Sequence, residues 1–177
     1  MLIAHPSILE SRVLRWADEA ACAAFAAQLA RQPGLADAFL TLQGPLGAGK
    51  TTFVRHLLRA LGVTGRIKSP TYTVLEPYQA RGRDIAHFDF YRFNDPREWE
   101  DAGFRDVFAR PGLKIAEWPD KAAGALPTPD LALHLSVEDA STDAGDEAPP
   151  RTVRVEALTP AGQQLLAGLD AGPSARC

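Results

Sequence analysis

The chain has 177 residues, 46% of them hydrophobic and 23% charged, with a net charge of −3. That is enough for one domain with a good core and argues against bulk capture of nucleic acid. No apolar run approaches the ~20 residues of a membrane span, MLIAHPSILESRVLRW lacks the basic start and long apolar stretch of a signal peptide, and Cys22 and Cys177 form neither a zinc spacing nor a disulfide framework, so a cytoplasmic location is the default expectation.

Residues 12–16 read as a short first strand. The Ala-rich stretch from Asp18 to Ala30, with Phe25 and Leu29 four apart, reads as a helix with Asp18 at its N-cap. AFLTL (38–42) is the short apolar run of a buried strand. After QGPLGAGKTT a second helix runs to about Leu61, with Val54, Leu57, Leu58 and Leu61 on one face and Gly62 at its end. SPTYT leads into a strand, TVLEPYQA, and RGRD turns it into a hairpin partner, IAHFDFYRF. In NDPREWEDAGFRDVFAR, Asp95 is placed as an N-cap, Pro96 at the first helical position and Glu98 to close a capping box. LKIAEW (113–118) is a strand, and LALHLSVE (131–138) and TVRVEAL (152–158) alternate as strands at one side of a sheet. The acidic segment between them, about 138–151, is expected to be a mobile loop. A last helix is expected over 160–169. Residues 1–170 read as a single domain, with a disordered tail over 171–177.

Gly44-Pro-Leu-Gly-Ala-Gly-Lys50-Thr51 fits the phosphate-loop pattern G-x-x-x-x-G-K-[ST]. Small residues let backbone N–H groups wrap a phosphate, and the helix that follows aims its unpaired amides at the same group. Lys50 can reach β/γ oxygens, and the Thr51 hydroxyl is placed to ligate Mg²⁺. Gly44, Leu46, Gly47, Ala48, Gly49, Lys50, Thr51 and Thr52 form the candidate nucleotide-binding set. The context, apolar strand before and amphipathic helix after, is what the motif requires. Between Lys50 and Arg97 nine Lys/Arg stand against four Asp/Glu, a +5 window in a chain whose remainder is −8. It reads first as a basic face around the phosphate site, and second as a docking surface for an acidic partner or RNA.

The class of phosphate-loop protein is narrowed by what is missing. There is no N/T-K-x-D segment and no Asp with Gly three residues later, so a GTPase is not expected. A small-molecule kinase stays open as the alternative, with Arg81, Arg83 and Arg92 as lid candidates and an acceptor pocket beside the hairpin. A nucleotide-gated binding module is a third reading. A hydrolase needs a strand-end acid for metal or water. IAHFD ends in Asp89 and LKIAE in Glu117; one can ligate metal and the other orient or deprotonate water, in either order. Ser69, Thr71 and Thr73, stiffened by Pro70, have the make-up of a γ-phosphate switch. His87 reads as a structurally satisfied strand histidine, His56 as a surface residue, and Trp16 and Trp99 as packing residues. Tyr91 is compatible with either the nucleotide or the hairpin.

GPLGAGKTT, KSPTYT, EPY, HFDFYR and EWPD, in this order from about Asp18 to about Val137, resemble the bacterial TsaE (YjeE) family of small ATPases required for threonylcarbamoyladenosine in tRNA. The resemblance implies a three-layer α/β phosphate-loop domain with a mixed, largely parallel sheet. It implies ATP and Mg²⁺ as cofactors, and TsaD-like and TsaB-like partners whose complex ATP turnover resets, with tRNA involved only indirectly. It assigns Lys50, Asp89 and Glu117 to catalysis and Thr51, Asp89 and Glu117 to the metal. Ser69 and Thr71 fall in the switch, Trp118 near the nucleotide, and Arg92 either supports the site or faces the partners. Where members often carry Thr near the adenine, this chain has Cys22. Ala116 and the 138–150 segment are further departures.

Overall fold

The computed structural model describes residues 6–95, 97–139 and 148–169. Pro96, the 140–147 part of the acidic segment and the expected 171–177 tail lie outside them. The chain runs β1 (Glu10–Trp16), α1 (Glu19–Ala30), β2 (Phe39–Gln43), α2 (Lys50–Leu61), β3 (Leu75–Ala80), β4 (Arg83–Asp89), α3 (Glu98–Asp101), α4 (Phe104–Ala109), β5 (Leu113–Glu117), β6 (Leu131–Val137), β7 (Arg151–Ala157) and α5 (Pro160–Ala167). The seven strands form one sheet in the order β1-β7-β6-β2-β5-β4-β3. The four inner strands β6, β2, β5 and β4 are parallel. The outer pairings β1–β7, β6–β7 and β3–β4 are antiparallel. The architecture is the mixed α/β one read from the sequence, with the parallel part confined to its middle.

Strand alternation explains the layers. Successive side chains of a strand point to opposite faces. On β2, β4 and β5, Leu40, Leu42, Ile85, Leu113 and Ile115 join the core that holds α1 and α2. Phe39, Ala86, Phe88 and Ala116 point the other way, into an aromatic cluster with Phe90, Phe93, Trp99 and Phe104. Phe88 is fully buried, and its ring lies 5.2 Å from that of Phe104 in an edge-on contact, the arrangement that ring quadrupoles favour.

The expected apolar face of α2 is buried, with Phe53 added to it. Gly62 ends the helix in the left-handed region at φ 99°, where a Cβ is disfavoured. Asp18 caps α1, its carboxylate accepting from the Ala21 amide at 2.8 Å. The expected capping box of the next helical stretch forms only in part: the Glu98 carboxylate accepts from the Asp95 amide and the Asp95 carboxylate from the Arg97 amide, but α3 starts later than expected, with Arg97 at its N-cap and no side-chain cap bond. The stretch splits into α3 and α4 because Gly103 turns left-handed between them. Both ends of the acidic segment are held: the Glu138 amide bonds Pro150 O, and its carboxylate takes bonds from Arg15 and Thr152.

Candidate functional site

In open parallel sheets, ligands sit beyond the carboxyl ends of the strands. Here β2 ends at the 44–49 loop, β4 at Asp89 and β5 at Glu117. The strand register places Asp89 directly beside Glu117, so both acids stand next to the start of α2. Gly44 opens the loop at φ 146°, and Gly47 and Gly49 are also at positive φ. These are conformations that glycine adopts without a Cβ penalty. The loop encloses a cleft of about 310 Å³ lined by Leu46, Gly47, Gly49, Lys50, Thr51 and Thr52, with Thr71, Asp89, Tyr91, Glu117, Trp118 and Arg151 closing its other sides.

Lys50 is folded back on its own loop. Its Nζ donates to Gly44 O at 2.6 Å and Pro45 O at 2.9 Å, and lies 4.1 Å from the centre of the Trp118 ring. Burial lowers its pKa, and the nearby Glu117, Asp89 and Asp120 charges work against that. Trp118 is itself left-handed, at φ 57°, which turns the chain sharply after Glu117. Its ring packs on Tyr91 at 5.1 Å.

The Thr51 hydroxyl donates to Glu117, 2.9 Å from Oε2 and 3.1 Å from Oε1. Glu117 Oε1 is also 2.8 Å from His87 Nε2, with both side chains almost wholly buried. A carboxylate that is ionised can only accept, and against one the donor in this contact is the imidazole Nε2–H. Nδ1 finds no partner among the described residues. Asp89 is held differently: Oδ1 accepts from the Tyr91 amide at 2.9 Å, and Oδ2 from the Thr71 hydroxyl at 3.1 Å. Burial raises the Asp89 pKa first of all; the Tyr91 amide opposes the rise and the Glu117 charge adds to it.

Thr71 ties the SPTYT segment to Asp89, and Ser69 Oγ stands 2.8 Å behind Thr71 Oγ1 without lining the cleft. Thr73 points away, to Glu76. Val74, where the segment joins β3, sits at φ 65°, an outlying conformation for a β-branched residue. It is held there by two backbone bonds, from its amide to Pro70 O and from the Asp89 amide to Val74 O. The Arg92 guanidinium lies 4.2 Å over the exposed Tyr72 ring, so the segment is held both by Asp89 and by a group three residues beyond it.

A smaller cleft of about 120 Å³ adjoins the first behind the loop, lined by Trp16, Asp18, Glu19, Cys22, Ala48, Gly49, Thr52, Pro149 and Arg151 among others. It is where the expected adenine-side residue Cys22 lies. Burial, with help from Glu19, pushes the Cys22 thiol up to about 12. The reactive species is the thiolate, so its fraction is about a thousandfold below that of an ordinary thiol. In a Cys177→Ala background, Cys22 should therefore react with a disulfide reagent at pH 8 only on the timescale of opening of the α1 region. Immediate stoichiometric reaction would contradict this packing.

The structure thus brings Lys50, Thr51, Thr71, Asp89, Glu117 and Trp118 together around one cleft, with Leu46, Gly47, Gly49 and Thr52 on its loop wall. Gly44 and Ala48 support the loop from beneath it, and Ser69 acts only through Thr71. Thr51, Asp89 and Glu117 offer hard oxygen donors, which suit Mg²⁺ completed by water and phosphate oxygens. Among the described residues, no three His, Cys, Asp or Glu side chains form a self-sufficient metal cluster. The basic window does not gather here as expected. Arg81 and Arg83 line a depression with Arg31 and Leu61, at the far end of α2. Sequence reasoning missed the bond of His87 to Glu117 and the place of Arg151. The first had a signal, since His87 and Asp89 are two apart on a strand and share a face. The second had none, because only the order of the sheet brings β7 to the loop.

Comparison with known proteins agrees with this geometry. The family model described as "Threonylcarbamoyl adenosine biosynthesis protein TsaE" matches residues 16–145. The tRNA threonylcarbamoyladenosine biosynthesis protein TsaE of Haemophilus influenzae is 45% identical over 98 residues, which are 55% of this chain and 62% of that protein. The Bacillus subtilis protein of the same name is 38% identical over 94 residues, 53% of this chain and 58% of its own. The matched stretch thus spans about three fifths of the length of these curated relatives. The crystal structure of Bacillus subtilis YdiB superposes with a TM-score of 0.66 at 26% identity, covering 91% of this chain and 95% of that one. A family model that matches most of the chain, over the segments that build the cleft, shows that the chain belongs to the TsaE family.

Proposed function

We propose that this chain binds ATP with Mg²⁺ in the cleft beyond β2, β4 and β5 and hydrolyses it. On this reading it serves threonylcarbamoyladenosine formation in tRNA, alongside TsaD-like and TsaB-like proteins whose cycle it resets. The observation that carries the ATPase part is the convergence of Thr51, Glu117 and Asp89 on the phosphate loop, with the two acids side by side in adjacent parallel strands. The tRNA part rests on family membership and on the names of the relatives.

In this mechanism the 47–51 amides and the start of α2 hold the phosphates. Lys50 exchanges the Gly44 and Pro45 carbonyls for β/γ oxygens. Thr51, with Asp89 and Glu117, would hold Mg²⁺, and Glu117, kept in orientation by His87, is placed to accept from the attacking water. Asp89 couples this centre to the switch through Thr71. Bound Mg²⁺ would supply charge stabilisation at the transferring phosphoryl group. Turnover alone is expected to be weak. Leu46, on the wall of the cleft, is 68% exposed, and Tyr72, next in the chain to Thr71, is 81% exposed, and apolar groups in such positions fit a partner that covers and completes the site.

The kinase alternative wants an acceptor pocket within reach of the γ-phosphate. A larger cleft, about 520 Å³, does lie beside the β3–β4 hairpin, but against Asp84, Ile85, Leu113 and Lys114. Those residues begin β4 and β5, whereas Asp89 and Glu117 end them, roughly 15 Å away at the rise of a strand. No observation therefore favours phosphoryl transfer to a bound acceptor. The test is steady-state phosphate release from ATP by the protein alone and with the matching TsaD–TsaB pair. Strong stimulation by the pair is the expected result. Equal turnover with and without them would remove the partner-completed reading, and consumption of ATP only with a small acceptor would replace it with the kinase.

A further inference from the structure

The cleft of about 520 Å³ lies at the opposite end of β4 and β5 from the phosphate loop, and it is large enough for a small molecule. Strand register shows what floors it. Pro77 pairs with Ala86 and Ala86 with Lys114, so the three stand in one row on one face of the sheet. Leu75, Val107 and Pro111 add apolar wall. Lys114 is out of character in this company, for it is only 6% exposed. An ammonium has three N–H donors and no acceptor. One of the three goes to the Arg110 carbonyl at the end of α4, and among the described residues no carboxylate forms an ion pair with Lys114. Burial lowers its pKa, and the Asp37 charge works against that. Asp37 itself accepts from the Gly112 amide at 2.8 Å and does not line the cleft.

A lysine that only braced the last carbonyl of α4 could do so from the surface. Burying its charge with spare donors is costly unless an anion can reach it. The walls of the cleft set the kind of anion. Lys114 and the exposed Arg110 stand there against Asp84, whose Oδ1 already takes a bond from Gln79. One net positive charge matches a monoanion and is outweighed by a polyphosphate. The apolar floor asks for a hydrocarbon body. We infer that this cleft binds a small monocarboxylate with an apolar body, its carboxylate on Lys114 Nζ and its body over Pro77, Ala86 and Val107. At roughly 15 Å from Asp89 and Glu117, by the rise of a strand, such a ligand is no phosphoryl acceptor. It binds whether or not the ATP reading holds.

Octanoate and phenylacetate serve as probes, with octanamide and phenylacetamide as their neutral counterparts. Each is titrated into the full chain and followed amide by amide by NMR. At least one of the carboxylates should shift the Ala86, Val107, Gly112 and Lys114 amides saturably and leave those of 47–51 in place. Its neutral counterpart should bind roughly tenfold or more weakly, the scale of one lost charge-assisted hydrogen bond. Lys114→Met keeps the stem and removes the charge. It should bind the carboxylate no better than the amide, with the spectrum away from the cleft unchanged. A wild-type protein in which neither carboxylate moves those four amides would overturn the inference and leave Lys114 as a brace for α4. So would equal affinity for carboxylate and amide, shifts confined to the phosphate loop, or an undiminished carboxylate preference in Lys114→Met. The wild-type comparison of carboxylate with amide needs no variant, so it decides the matter even where Lys114→Met does not fold.

Discussion

Glu117→Gln should leave ATP binding within a few-fold of wild type while hydrolysis falls by about a hundredfold or more, the lower end of what general-base and metal-orienting groups contribute. The substitution keeps the shape of the side chain and the apolar environment at the end of β5. It removes the charge that the Thr51 hydroxyl and His87 Nε2 both address. An amide still offers one oxygen, so one of those bonds survives and the loop is not released. The anionic acceptor for water, or for a metal-bound water, is gone. Lys50→Ala should behave differently, because Lys50 is the cation held at the loop mouth. There nucleotide affinity itself should drop with hydrolysis. Binding of a fluorescent ATP analogue, measured beside phosphate release, separates the two variants. If Glu117→Gln hydrolyses at the wild-type rate, then Glu117 is no more than the buried partner of His87. If binding instead collapses in a Mg²⁺-dependent way, Glu117 belongs to the metal and Asp89 inherits the water.

The nature of that pair also shows which parts of the site a sequence can display. The loop, its strand and its helix are local, so GPLGAGKTT carried them in full. Asp89 and Glu117 stood out because each ends an apolar run. Their adjacency did not, since it depends on β4 pairing with β5 in a register that no local feature specifies. The hydroxyls of SPTYT were legible as a switch by composition. Which of them reaches the site was not: Thr71 meets Asp89 and Thr73 does not, because Val74 is forced to φ 65° and turns the chain between Thr73 and the strand. The +5 window misled for a similar reason. Charge close in sequence is spread along α2 and the hairpin, and the helix carries it away from the phosphates at about 1.5 Å per residue. Arg151 was the opposite case, remote in sequence by about a hundred positions and in contact with the loop.

Gly44→Ala should destabilise the fold by about 2–4 kcal/mol and weaken nucleotide binding at the same time, because one backbone contact serves both. A Cβ on Gly44 would meet Leu135 O at 2.4 Å and the Ala48 side chain at 3.2 Å. Leu135 belongs to β6, which is fixed between β2 and β7, so its carbonyl has nowhere to move. The loop must move instead. Gly44 O is also the 2.6 Å acceptor of Lys50 Nζ, and a displaced Gly44 releases the ammonium and reshapes the ring of amides beyond it. The magnitude combines a strained φ of 146° with overpacking against backbone, each of order 1–3 kcal/mol. Gly65→Ala is the control. Gly65 also has positive φ, at 79°, but a Cβ there would meet nothing within 4 Å. It should cost only the conformational part, about 1–2 kcal/mol, and leave nucleotide affinity alone. Chemical denaturation and an ATP titration on both variants decide the matter. A Gly44→Ala protein no less stable than Gly65→Ala, and with unaltered affinity, would mean that the loop does not lean on β6 as the structure has it. The larger loss in both measurements would tie the phosphate loop mechanically to the strand that leads, through β7, to Arg151.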